Sequence, residues 1–465
     1  MEVKMKSAVL VLISFILLTF LSVSAMADAV SYSPAGLKTF SSEAEMMNKV
    51  LITDVNIFDG NSEKLSSSMS VLIEGNKITK IAATIPASED MKVIEGGGRT
   101  LLPGFIDIHA HLHLNTGAVE LLYAPGDYHT ALALHEAENT LMRGFTTMRD
   151  VGGNVFGVKR AIDEGYFAGP RLYASGPPIS MTAGHGDFRT PITNPRQLGG
   201  TSYSELEILR ITAFADGVPE VLSASRMNMR SGAAFLKMYV GGAVSGLYDP
   251  LDIVEYSFDE VKAAADEAKR WNTYLAVHTY TDAATQIAIK AGAKTLEHCN
   301  LIGEETVKMA VKNDCYISAQ TGVFLAPAPP SFTPAQKARQ QQAADGLDNL
   351  LKLCKKHNAK VGFGSDLLMD LEIKKTLNEE FTNRTKWFSN AEILRQATAI
   401  NGEILSLSGP RNPYPGKIGV IEKGALADLL LINGDPLKDI SILTKPEENI
   451  ALIMKDGKLY KNTIN

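Results

Sequence analysis

The chain has 465 residues, 45% hydrophobic and 21% charged, with a formal net charge of -6. That length exceeds one ordinary domain and suits a large domain with a smaller one beside it. The composition excludes a disordered chain, and the lack of a long basic run excludes a nucleic-acid partner.

The N-terminus differs from the rest. Lys4 and Lys6 precede an apolar run from Ala8 to Val23, and Ala25-Met26-Ala27 follows with the small-x-small pattern of a signal-peptidase site. Residues 1–27 read as a signal peptide, so the mature chain is expected to begin at Asp28 and to be exported, to the periplasm or beyond. The competing reading, an N-terminal membrane anchor, is disfavoured by the shortness of the run and the adjoining cleavage motif. No later stretch is long and apolar enough to span a bilayer. Residues 28–46 are polar and irregular and read as a linker.

Residues 47–104 carry short β-like runs, among them Leu51-Ile52 and Val71-Leu72-Ile73, punctuated by Asp59-Gly60 and Gly75-Asn76 as turns. Residues 405–465 have the same texture, with Leu429–Ile432 and Ala451–Met454 as apolar runs and Asn433-Gly434 and Asp456-Gly457 as turns. Two β-rich ends around one long middle predict a small β-sandwich built from both ends of the chain.

The middle, residues 105–404, alternates strands with helices, the pattern of a parallel sheet. Its strand candidates are Phe105–His109, Thr146–Asp150, Arg171–Ser175, Phe235–Tyr239, Leu275–His278, Thr295–His298, Tyr316–Ala319 and Lys360–Gly364. Phe258–Arg270 sets Val261, Ala264, Ala265 and Ala268 against a charged face and reads as an amphipathic helix. The Ala- and Pro-rich stretch Leu325–Pro334 reads as a loop after the seventh strand. This order predicts a (β/α)₈ barrel. A doubly wound open sheet is the alternative, but no Gly-rich dinucleotide loop follows the first strand. Cys299, Cys315 and Cys354 are too few and odd in number for a disulfide framework and are expected to be buried thiols.

Barrel enzymes place their chemistry at the C-terminal ends of strands. The first strand ends in Asp107-Ile108-His109-Ala110-His111, and side chains two apart point the same way, so His109 and His111 can grip one ion. The fourth carries Lys237 among apolar neighbours, where an ammonium is costly to bury. The fifth, sixth and eighth end at His278, His298 and Asp366. Each residue alone has an ordinary structural explanation. Together, at the same ends of five strands, they point to a metal centre. Tyr239, two residues after Lys237, points to the same mouth, where its hydroxyl could donate to a substrate carboxylate.

This pattern resembles the amidohydrolase superfamily. The resemblance runs from about Val50 to Lys461 and includes Leu102-Pro103-Gly104-Phe105-Ile106-Asp107 and Gly424-Ala425-Leu426-Ala427-Asp428. It implies a CO₂-derived carbamate on Lys237 shared by two divalent metal ions. His109, His111 and Asp366 would hold one, and His278 and His298 the other. The imidazole and carboxylate ligands suit Zn²⁺, with Mn²⁺ or Co²⁺ as alternatives. Met181-Thr182-Ala183-Gly184-His185-Gly186 and Gly241-Gly242-Ala243-Val244-Ser245 look like the Xaa-Pro and Xaa-Arg dipeptidase or carboxypeptidase branch, near ochratoxin-hydrolysing amidases. His113, which extends the first motif, departs from the pattern.

The expected activity is hydrolysis of an amide bond to a C-terminal amino acid, on a small dipeptide or N-acyl substrate. Asp366 would move the proton, and His185 would steady the carbonyl oxygen or a substrate carboxylate. The alternative is a one-metal cyclic amidase, deaminase or imidazolonepropionase-like enzyme, whose branches lack the bridging lysine. A scaffold without metals is a third reading, against which all six ligand positions are filled. Homo-oligomerisation is left open.

Overall fold

The computed structural model describes residues 49–464 apart from 201 and 202. The expected signal peptide and linker lie outside the described residues.

The first strands are β1 (Lys49–Ile57), β2 (Ser66–Glu74), β3 (Lys77–Ala82) and β4 (Lys92–Pro103). One sheet joins them to three strands from the far end of the chain, and its order is Lys458–Asn462, Ile450–Lys455, Leu429–Ile432, β4, β1, β2, β3. β1 and β4 run parallel, whereas β4 and Leu429–Ile432 run antiparallel. Alternation explains why Leu429–Ile432 is apolar throughout. Leu429 and Leu431 pack with Val50, Ile52, Val71 and Ile73, while Leu430 and Ile432 join the core that extends into the barrel. At the Asp456-Gly457 hairpin both residues have positive φ (55° and 74°), as a type I′ turn requires.

The middle of the chain supplies the strands β5 (Phe105–Ala110), β6 (Phe145–Asp150) and β7 (Arg171–Ala174). Two short strands follow, β8 (Ile179–Ser180) and β9 (Ala213–Phe214). Then come β10 (Leu236–Tyr239), β11 (Leu275–Thr281), β12 (Thr295–Leu301), β13 (Tyr316–Ala319) and β14 (Lys360–Phe363). All eight expected barrel strands are present, and β5 to β7 and β10 to β14 pair in parallel. The ladder closes through single backbone bonds. Ala234 N–H donates to Ala174 O at 2.8 Å between β7 and β10, and Asp366 N–H to His109 O at 2.8 Å between β14 and β5.

Two details differ from expectation. The pair β8 and β9 lies beside β10, with Ile179 opposite Met238, and is too short for a periodicity signal. Pro334 does not close a loop but opens a 23-residue helix, Pro334–Lys356, capped by the Thr333 side chain. Its missing N–H costs nothing at the first helical position. The helix Phe258–Arg270 has the expected bounds, with a Ser257–Glu260 capping box and Val261, Ala264, Ala265 and Ala268 buried. The three cysteines are free and buried. Among the described residues no helix is long and apolar enough to cross a membrane.

Candidate metal centre

The strand ends bring the expected residues to one mouth of the barrel. His109 lies in β5 and His111 just beyond it, and the Nε2 atoms of both lie 3.3 Å from Asp366 Oδ1. His298 Nδ1 lies 4.0 Å from Asp366 Oδ2. Ligand atoms of His109, His298 and Asp366 all fall within 4.8 Å of one another. The His278 ring stands 4.5 Å from that of His298, edge to face. Lys237, on β10, is 1% exposed.

Backbone strain accompanies this convergence. β12 runs on to Leu301, but His298 and Cys299 have φ of 72° and 61°, and Asp366, three residues past β14, has 55°. Non-glycine residues in this region cost about 1–3 kcal/mol each and persist where surroundings dictate them. The turn at His298 breaks the strand alternation, so Glu297 and His298 serve the same centre.

The hydrogen bonds of the rings test whether a cation fits here. His109 Nδ1 lies 2.8 Å from Glu297 Oε2, His111 Nδ1 3.2 Å from Gly152 O, and His278 Nε2 3.4 Å from Gly242 O. These oxygens only accept, so the facing ring nitrogens carry protons, and in the neutral ring the opposite nitrogen is the one left to ligate. In His109 and His111 that opposite nitrogen lies 3.3 Å from Asp366 Oδ1, a contact that needs a positive charge, supplied by a ring proton or by a metal ion. His298 Nδ1 is buried without a hydrogen bond, another donor atom free for a cation. The residues present therefore fit a divalent metal.

Electrostatics agree. Burial pushes the His278 and His298 rings well below the usual imidazole range, keeping them in the neutral form that ligates metals. Burial also lowers His111; at His109 burial is the largest effect and lowers the ring, but the Asp366 charge together with the hydrogen bonds to Asp366 and Glu297 raises it on balance. Burial works against ionisation of Asp366, but the charge and hydrogen bond of His109 and the hydrogen bond of His111 hold its carboxyl well below the usual range. Lys237 is pushed down to about 8 by burial, against the pull of Glu297. An amine in that range is a usable nucleophile toward CO₂ at neutral pH. Among the described residues its ammonium has no hydrogen bond or ion pair, which suits a side chain that carries a carbamate.

His185 sits between β8 and β9, on a loop folded back by the Gly186 N–H donating to Ser180 Oγ at 3.0 Å. Its ring stacks on His278 and meets the Tyr239 ring edge-on at 4.6 Å. Its backbone N–H donates to Glu255 Oε1 at 2.8 Å, and its Nδ1 is 3.5 Å from Asp249 Oδ2, longer than a good hydrogen bond. His185 and Tyr239 thus line the centre together. His113 does not join it. The His113 ring is buried against that of His129, with centroids 5.7 Å apart, and burial pushes it down to about 4.

Four charged residues at this centre escape a reading of strand ends: Arg149, Asp249, Glu255 and Glu297. Glu255, between Val254 and Tyr256, carries the signal that singled out Lys237, a charge flanked by apolar residues, whereas Arg149 and Glu297 each have a charged or polar neighbour that masks it. Both of these lie inside strands.

Comparison with known proteins places this geometry. The sequence model of the amidohydrolase family matches residues 100–460. Ochratoxinase of Aspergillus niger is 30% identical over 384 residues, 78% of this chain and 75% of the relative. A crystal structure of an amidohydrolase has a TM-score of 0.82 at 31% identity, covering 90% of this chain and 100% of the other. A prolidase crystallised with N-methylphosphonate-L-proline has a TM-score of 0.82 at 29% identity, covering 89% and 100%.

Proposed function

The chain belongs to the amidohydrolase family, and from that premise we propose that it is a two-metal hydrolase cleaving the amide bond to a C-terminal amino acid. The substrates are dipeptides or N-acyl amino acids, ochratoxin-like amides included. One observation carries the reading: His109, His111, His298 and Asp366 converge near a buried lysine that makes no hydrogen bond or ion pair among the described residues. The ochratoxinase and prolidase relatives support the substrate class.

His109, His111 and Asp366 would hold one metal and His278 and His298 the other, with the Lys237 carbamate shared; the donor set suits Zn²⁺. When bound, the metals supply Lewis acidity, polarising the amide carbonyl and lowering the pKa of the attacking water. The chain's own groups do the rest. Asp366 takes the proton of the water as the carbon–oxygen bond forms. It then gives that proton to the leaving nitrogen as the carbon–nitrogen bond breaks, releasing an acid and an amine. Oδ2 is the oxygen suited to this transfer, because the two 3.3 Å histidine contacts fall on Oδ1. His185 and Tyr239, held against each other, orient the carbonyl oxygen and the terminal carboxylate.

Elemental analysis of the purified protein, paired with a screen of Xaa-Pro, Xaa-Arg, Xaa-Phe and N-acyl amino acids, tests the reading. Two metals per chain with hydrolysis of at least one of these classes is the expected result. One metal per chain with activity confined to deamination or cyclic amides would overturn it.

A further inference from the structure

The His109 ring is held on its Nδ1 side by a buried charge network. Glu297 Oε2 takes the Nδ1–H of His109 at 2.8 Å. Glu297 Oε1 accepts from Arg149 Nη2 at 2.7 Å and from Thr295 Oγ1 at 2.8 Å. Arg149 also donates through Nε to the carbonyl of Ile108, the residue preceding His109. Its Nη1 reaches Thr295 Oγ1 at 3.0 Å and Tyr274 Oη at 3.3 Å. The result is a closed circuit: Arg149 grips the backbone just before His109 and also the carboxylate that grips the His109 ring. Three strands, β5, β6 and β12, are tied together at one point.

Both charged side chains are 0% exposed. Barrel interiors are filled by branched apolar side chains, and a buried ion pair often stabilises no better than apolar residues of similar volume. Fold stability alone therefore gives a weak reason for it. Its aim gives a stronger one. A carboxylate accepting one ring N–H of a ligating histidine fixes the tautomer, the ring plane and the basicity of the other nitrogen. Here that other nitrogen is the Nε2 facing Asp366.

We propose that Glu297 is a positioning residue for the metal centre: it fixes the His109 ring for metal binding, with Arg149 as the partner that holds the Glu297 carboxylate in place. The inference rests on the metal reading of the site proposed above. It makes the Glu297-His298 dipeptide a coupling element, since one residue orients a ligand of the first metal and the next is itself a ligand of the second.

Zinc release into a chelator titration tests this on wild type, Glu297→Gln, and the double variant E297M/R149M. Glu297→Gln keeps an acceptor oxygen but drops the charge. The double variant removes the pair as a unit and leaves no charge stranded. Circular dichroism of the metal-free proteins shows whether each is folded. The expected result is a folded double variant in which one of the two zinc equivalents is released about 10–100-fold more readily, the range typical of a lost ligand-orienting partner. Glu297→Gln should fall between it and wild type. Folded variants that release zinc as wild type does overturn the proposal, even if their melting temperatures drop. If the double variant does not fold, Glu297→Gln decides alone by the same criterion. A wild type that takes up no zinc overturns the metal reading itself, a result distinct from unaltered variants of a zinc-replete protein.

Discussion

The imidazole of His185 lies flat on that of His278, with ring centroids 4.4 Å apart and 20° between the planes. A loop residue between two short strands is thereby registered against a metal-ligand candidate on β11. Tyr239 closes the third side, with its ring 5.4 Å from His278. These contacts bring two polar groups side by side, and the proposed function has them read a substrate carboxylate. A dipeptide should therefore be hydrolysed with a higher kcat/KM than its C-terminal amide. Tyr239→Phe should shrink that ratio. A hydrogen bond to a charged group is worth about 1.5–3 kcal/mol, roughly 10–150-fold in rate. Equal rates on acid and amide would move the assignment to a general amidase or lactamase.

Lys237 provides a second prediction. Its ammonium is buried and pushed down to about 8. Lys237→Ala should lower the metal content below two per chain and remove most activity. Adding a short carboxylic acid with metal should restore part of both, because the acid can occupy the volume and charge of the carbamate. Full kcat and two metals in the alanine variant would exclude Lys237 as a ligand.

Asp366→Asn should separate chemistry from folding. Asparagine tolerates the positive φ found here, so the backbone turn at 55° survives the change. The proton-carrying oxygen is lost, and general acid–base roles are worth about 10²–10⁴-fold. The expected outcome is that fall in kcat with little change in thermal midpoint, read from steady-state kinetics and a melting curve. Wild-type turnover in the variant is the contrary result.

A fourth prediction concerns the junction between barrel and sandwich. Arg171 on β7 makes a two-pronged pair with Asp428, at 2.8 and 3.1 Å, and also reaches Asp456 at 2.7 Å in a hairpin turn. The Arg171–Asp428 pair is almost wholly buried. Asp428→Ala removes the two-pronged partner and leaves the buried guanidinium with Asp456 alone, so the loss should approach the roughly 3–5 kcal/mol of a broken buried pair without exceeding it. Chemical denaturation should show that loss. Metal stoichiometry should stay at the wild-type value, because this pair lies apart from the metal-centre residues.

The barrel was legible because each strand writes its own short apolar run and each helix its own 3.6-residue period, and these patterns need no knowledge of the rest of the chain. The helix Phe258–Arg270 has its bounds in the sequence because Ser257 and Glu260 cap it locally. The convergence of the candidate ligands was legible for a related reason. Parallel strands all end on one side, so histidine, lysine or aspartate at each strand end must meet there.

What the sequence by itself determined, then, is the list of the eight barrel strands and the candidate ligands at their ends. Which atoms face which was decided only by closure of the barrel. His109 meets Glu297 across 188 positions and Arg149 meets Glu297 across 148. No local period records such a pair, since it exists only once β5, β6 and β12 are packed. The same holds for the left-handed turns at His298 and Asp366, whose cost the surrounding contacts must offset. Local patterns specify where a side chain points along its own strand. The partner it finds there is specified by tertiary packing, because only packing brings distant charges into one low-dielectric space.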